Sequence, residues 1–160
     1  MHDVDLIPEN DRIDYGCQTS PKHLSVAVNT FDYKLPYGSI FGGVASMLKE
    51  HFEKINGCSN LFWKWGGEDD NLSKRLSMNR FSIKRQSVEI ARYKMLAHIK
   101  SQHEEGELLQ KEYQRHGKSL RFVKQDGLND LQYDVTSRED LQLYTLIKVN
   151  LRRDKTKELF

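Results

Sequence analysis

The sequence predicts an α/β or mixed fold, on three observations. Short β-rich runs alternate with helical stretches and long loops along the 160 residues. Apolar residues at Met47, Leu48, Phe52 and Ile55, and again at Leu72 and Leu76, recur at helical spacing. No internal repeat and no low-complexity segment breaks that alternation. The length suits one domain, or part of one, with a moderate core.

Taken in order, Val4, Leu6 and Ile7 read as the end of a buried strand already under way. The chain is therefore expected to be the C-terminal part of something longer. Residues 23–28 (HLSVAV) read as a short strand. Residues 31–43 (FDYKLPYGSIFGG) are rich in Pro, Gly and Tyr and read as a loop with short extended pieces. Residues 45–55 read as a helix that Asn56-Gly57 ends. A second helix is expected from about Glu68, because three acids in a first turn complement the helix dipole. Residues 81–95 hold two strand-like pieces, and 101–121 read as an irregular polar loop with a helix. Residues 131–135 and 141–151 look like two closing strands.

Composition excludes several classes. With 38% hydrophobic and 30% charged residues the chain fits a soluble globular class. Its 25 basic and 23 acidic residues leave a net charge of +2, too balanced for a nucleic-acid binder. The basic run from Arg152 to Lys157 reads as a solvated tail. The longest apolar runs are far too short to span a bilayer, and no signal peptide is visible. Cys17 and Cys58 alone decide little. The sequon Asn71-Leu72-Ser73 follows an acid cluster directly and is not expected to carry a glycan.

Three constellations carry chemistry. In residues 63–70 (WKWGGEDD) the only two tryptophans of the chain run through a glycine pair into Glu68, Asp69 and Asp70. A charged helix start explains the acids but neither the tryptophans nor the glycines. A functional site explains all of them: aromatic faces pack on sugar rings, glycines let a lid swing, and a carboxylate serves as general base. Asp3-Val4-Asp5 offers two carboxylates to a divalent cation and its diphosphate ligand, and hard oxygen donors suit Mg²⁺ or Mn²⁺. The same pattern also describes an exposed strand-to-loop turn. Met95-x-x-His98, taken alone, reads as structural, since a thioether is an odd partner for a hard cation.

Together these pieces resemble the catalytic domain of the β-1,4-galactosyltransferase family, inverting enzymes of the Golgi. The resemblance rests on HDVDLIPENDR, HLSVAV, YKLPY, FGGV, INGCSNLFWKWGGEDDNLSKRL, MLAH and DGLNDLQYDV, which appear in family order along nearly the whole chain. It implies the C-terminal portion of a nucleotide-sugar (GT-A-like) glycosyltransferase fold with a mixed sheet, its N-terminal strands missing. Residues 1–151 would belong to that catalytic domain and 152–160 to a basic tail.

The resemblance also implies roles. Asp5, Met95 and His98 match the family's Mn²⁺ ligands. Asp3, with Val4 beside it, matches the part that holds the nucleotide sugar. Trp65 matches the lid tryptophan that closes over donor and acceptor. Glu68 and Asp69 match the carboxylates at the donor sugar, with Asp69 as general base. Asp70 and Tyr37 match acceptor-site residues, and Gly43 a donor-site residue. A cysteine upstream would pair with Cys17. The whole protein would be a single-pass type II membrane protein of the Golgi lumen, its anchor outside this segment.

Departures from the family pattern are informative. Ile40 stands where the vertebrate galactosyltransferases carry tyrosine, and family members that transfer N-acetylgalactosamine carry a smaller aliphatic residue there. An isoleucine leaves room for a C2 N-acetyl group that a tyrosine would crowd. The expected donor is therefore UDP-GalNAc and the acceptor a terminal GlcNAc of a glycoprotein or glycolipid. The alternatives are a UDP-Gal-using β-1,4-galactosyltransferase, a non-catalytic sugar-binding remnant, and a generic metal-dependent hydrolase. Lys64 replaces a glycine between the tryptophans and stiffens the expected hinge. Asn71 replaces a further acid, beyond the base. Acceptor-loop residues between Ser101 and Lys124 do not align with the family.

Overall fold

The computed structural model describes residues 1–17, 19–63, 65–97 and 120–152. Expectations that fall on Lys64, His98, most of the acceptor loop and residues 153–160 lie outside the described residues.

A small mixed sheet holds the centre. Strand β1 (Leu6–Pro8) runs antiparallel to β5 (Arg92–Met95), and β3 (Ala27–Val28) runs parallel to β5 on its other side. Beneath it Leu6, Ile13, Leu24, Val28, Val44 and Tyr93 pack into one core cluster. A second pair, β2 (Lys22–His23) with β4 (Ala45–Ser46), leads into helix α1 (Lys49–Lys54). Helix α2 (Glu68–Met78) lays Leu72 and Leu76 against Phe41, Ala45 and Ile55, forming the second cluster. Helix α3 (Leu120–Gln125) follows, and the ribbon β6 (Asp134–Asp140) with β7 (Thr145–Asn150) closes the described chain.

Several elements depart from the sequence expectations. Val4 belongs to no buried strand end: it is 99% exposed in the turn that Leu6 closes by donating its N–H to the Asp3 carbonyl. Of that apolar trio only Leu6 enters the core, and Ile7 points out. The 23–28 strand is two strands. Val26 donates back to the Leu24 carbonyl, a tight turn that sends His23 to β4 and Val28 to β5. The 45–55 helix begins four residues late, because Ala45 pairs with His23 as a strand and a long-range ladder overrides local helical spacing. Its end is as expected: Asn56 and Gly57 both adopt left-handed φ, 60° and 64°. Of the two strand-like pieces in 81–95, one is a single bridge from Lys84 to Lys22, the other is β5. The closing strands sit later than expected, with a turn at 141–144 closed by Leu141 N–H donating to the Tyr144 carbonyl.

Arg152, counted with the basic tail, pairs with Asp134 across the ribbon at 2.5 Å. Cys17 and Cys58 are both free and exposed. Among the described residues no helix is long and apolar enough to cross a membrane.

Candidate active site

The acid-bearing start of α2 is built by its glycines. Gly66 and Gly67 have φ of 107° and 87°, a region that side-chain-bearing residues rarely adopt. Gly67 is the residue before the helix, and Gly66 donates its N–H to Glu68 Oε2 at 3.1 Å. A Cβ on Gly66 would meet nothing, so the turn stands in open space beside the 52%-exposed Trp65. This is the geometry a moving lid needs on one flank of a fixed helix. The fixed flank is anchored by Leu72 and Leu76, and by Arg75, which is fully buried.

Arg75 ties α2 to the residue that follows α3. Its Nη2 lies 3.0 Å from Asp126 Oδ2, its Nη1 donates to the Asp126 carbonyl, and its Nε donates to Asn71 Oδ1. Asp126 also accepts from Ser59 Oγ and Asn60 N–H. Burial pushes the Asp126 carboxyl up, against the pull of those donors and of Arg75. A buried pair with this many partners is satisfied, and removing either half leaves an uncompensated charge. Asn71 is thus a buried partner of Arg75, and Ser73 Oγ donates to the Ser39 carbonyl. Both of these sequon residues are buried.

Loop 37–43 packs against the same helix. Tyr37 Oη donates to Asp70 Oδ1 at 2.9 Å. Burial, with Asp69 and Asp70 nearby, pushes the Tyr37 phenol up, so it stays a donor. Gly42 abuts Asp69 so closely that an added Cβ would lie 2.4 Å from Asp69 Oδ2. Gly43, with φ of 75°, leaves room for Ser25 and Leu6, and its carbonyl accepts the Asp3 N–H at 3.1 Å. The chain thereby brings Asp3 to the acid end of α2. Ile40 is half-buried, with its N–H donating to the Tyr37 carbonyl.

The electrostatics single out one carboxylate. Burial, then the charges of Glu68 and Asp70, pushes Asp69 up to about 6. At neutral pH it is ionised yet far more basic than an exposed aspartate, which suits a general base. Asp3 is also raised, first by burial and then by Asp5 and Glu68, so the Asp-Val-Asp turn and the α2 acids share one field.

The β1–β5 register places Leu6 opposite Met95, and Leu96 N–H donates to the Asp5 carbonyl at 2.7 Å. Asp5, one residue ahead of β1, thus lies across from Leu96, the chain neighbour of Met95, a proximity that no sequence spacing reveals. Met95 Sδ lies 3.7 Å from Thr30 Oγ1. His98 lies outside the described residues. Among the described residues no group of three His, Cys, Asp or Glu forms a metal cluster.

Sequence reasoning missed Arg75, Asp126, His23, Arg85 and Gly42. The first four are held by partners 51 and 62 residues away, and no local pattern signals them. The FGGV run flagged the glycines without saying what Gly42 makes room for.

The chain is similar to known proteins. A family model described as the N-terminal domain of galactosyltransferase matches residues 22–99. β-1,4-galactosyltransferase 5 of Danio rerio is 42% identical over 159 residues, covering 96% of this chain and 39% of that protein. Human β-1,4-galactosyltransferase 1 is 40% identical over 149 residues, covering 93% and 37%. The chain thus spans about two fifths of the length of the curated relatives it matches. Among solved structures, the catalytic domain of Drosophila β-1,4-galactosyltransferase 7 in complex with xylobiose aligns with a TM-score of 0.72 at 25% identity. That alignment covers 97% of this chain and 68% of that one. A mutant of the fly enzyme, in complex with manganese, UDP-Gal and xylobiose, aligns with a TM-score of 0.66 at 23% identity, covering 98% and 68%.

Proposed function

We propose that this chain, which belongs to the β-1,4-galactosyltransferase family, carries the catalytic residues of an inverting, Mn²⁺-dependent β-1,4-glycosyltransferase. Its fold is that of a GT-A-like glycosyltransferase catalytic domain. The observation that carries the proposal is Asp69: a largely buried carboxylate held up to about 6, against Gly42, in the first turn of the helix that the Gly66-Gly67 turn opens.

Asp69 takes the proton of the acceptor's 4-hydroxyl as that oxygen attacks the anomeric carbon of the donor sugar. The bond from that carbon to UDP breaks on the opposite face, UDP leaves with the electron pair, and the configuration inverts. Asp70, oriented by Tyr37, and Tyr37 itself bind the acceptor. Glu68, Asp3, Val4, Gly43 and Ile40 contact the donor. Trp65 closes over both sugars, and closure excludes the water that would hydrolyse the donor.

The residues present fit a divalent cation. The Leu96 N–H holds the Asp5 carbonyl one residue beyond Met95, and burial with the charges of Asp5 and Glu68 raises the Asp3 carboxyl against the smaller pull of His2 and the N-terminus, a shift that a cation would oppose. Asp5, Met95 and His98 would hold Mn²⁺. Bound there, it supplies positive charge to the departing diphosphate.

The donor is UDP-GalNAc on the strength of Ile40, and the acceptor a terminal GlcNAc. The second reading, UDP-Gal, is favoured by the relatives described above, which are named galactosyltransferases, and by the UDP-Gal in the fly complex. The whole protein would act in the Golgi lumen as a type II membrane protein. Competition between the two donors, in the parent and in Ile40→Tyr, tests the donor assignment. The parent should prefer UDP-GalNAc and the variant UDP-Gal; an unchanged preference refutes the role of Ile40. Running this chain alone, and preceded by the upstream segment of a matching relative, tells whether these 160 residues suffice.

A further inference from the structure

Three carbonyls of loop 37–43 converge on one pair of side chains. Arg85 Nη2 donates to the Gly38 carbonyl at 3.1 Å and to the Ile40 carbonyl at 2.7 Å. Arg85 Nε donates to His23 Nδ1 at 3.2 Å. With Nδ1 accepting, the His23 proton sits on Nε2, which donates to the Gly42 carbonyl at 3.0 Å. Ser25 Oγ donates to the same carbonyl and accepts the Val44 N–H. The alternate carbonyls 38, 40 and 42 are therefore all held by Arg85, directly or through His23.

Tyr37 and Ser39 between them face α2, through Asp70 and Ser73, and the Cα of Gly42 abuts Asp69. The loop is clamped between Arg85 on one side and the acid helix on the other. His23 is fully buried, and burial and the Arg85 charge lower it to about 4, which keeps it neutral and in the tautomer the relay needs.

We propose that Arg85 is a positioning residue for donor choice: through the Gly38 and Ile40 carbonyls, and through His23 to Gly42, it fixes Ile40 relative to Asp69. The inference rests on the transferase reading above. Arg85 touches neither sugar. It matters because a donor differing only at C2 is sorted by a few tenths of an ångström at the wall that meets C2, and a planar guanidinium can hold carbonyls and an imidazole that an ammonium cannot hold together.

The test compares kcat/KM for UDP-GalNAc and UDP-Gal, with Mn²⁺ and a GlcNAc acceptor, in the parent, Arg85→Lys, Ile40→Tyr and the double variant. In Arg85→Lys the donor ratio should move about tenfold toward unity, with donor KM rising. The two substitutions should be non-additive in that ratio, since one acts through the other. Amide hydrogen exchange should accelerate at 38–43 and not in α2. Equal loss with both donors, additive effects, or unchanged exchange at 38–43 would each overturn the assignment. A parent that turns over neither donor refutes the transferase reading instead. His23→Gln, which keeps a donor to the Gly42 carbonyl, should retain most of the parental ratio, whereas His23→Leu, which keeps none, should move it as Arg85→Lys does; a ratio unmoved in His23→Leu would remove His23 from the relay.

Discussion

Asp69→Asn should make the protein more stable and inactive at once. The folded state holds the Asp69 carboxyl at about 6 against a reference value of 3.8. Each unit is worth about 1.4 kcal/mol, so the ionised carboxylate costs the fold about 3 kcal/mol, or about 1–2 kcal/mol once its partial exposure is discounted. The sign follows from proton counting. Between about pH 4 and pH 6 the native state holds a proton that the unfolded state has released, so stability falls as pH rises through that window. Asparagine carries no charge and, by shape, keeps an Oδ1 acceptor for the Asp70 N–H that Asp69 now accepts at 2.8 Å. The variant should gain about 1–2 kcal/mol above pH 7 and nothing near pH 4, where Asp69 is itself neutral. Urea unfolding at the two pH values measures this, and turnover should fall about 10²–10⁴-fold. A variant less stable than its parent at neutral pH, or equally stabilised at both, would refute the reasoning.

Other outcomes follow from the same geometry. The acidic limb of kcat/KM should have unit slope and an apparent pKa near 6, since Asp69 must be ionised to act; a limb at the value of an exposed aspartate would remove it as the base. Gly42→Ala drives a Cβ to 2.4 Å from Asp69 Oδ2 and should lower kcat about tenfold or more, with a stability loss of about 1–3 kcal/mol. Asp126→Ala leaves the Arg75 guanidinium buried without its carboxylate and should cost about 3–5 kcal/mol by denaturant titration.

The fold was legible where local chemistry decides. Helix α2 could be read from three acids in its first turn and from Leu72 and Leu76 four apart, both of which the structure buries. It was illegible where long-range pairing decides. Ala45 and Ser46 carry nothing that marks a strand until His23, 22 residues earlier in the chain, pairs with Ala45. The ribbon misled for another reason: nearly every residue of β6 and β7 is exposed, so there is no inside-outside alternation to fix its ends.

The candidate site divides the same way. Its acids, tryptophans and glycines stood out because together they violate the rules of a plain helix start. Met95 did not, because only the β1–β5 pairing brings its strand to the segment that carries Asp5. The Arg75–Asp126 and Arg85–His23 contacts were invisible, because each joins segments whose proximity only the fold creates.

The measurement that tests the account most directly is UDP release with and without a GlcNAc acceptor, in Mn²⁺, for the parent and Asp69→Asn. The account predicts release that requires both acceptor and metal, yields a β-linked product, and collapses in Asp69→Asn. Release that proceeds equally without acceptor, or that survives the loss of the Asp69 charge, would contradict it.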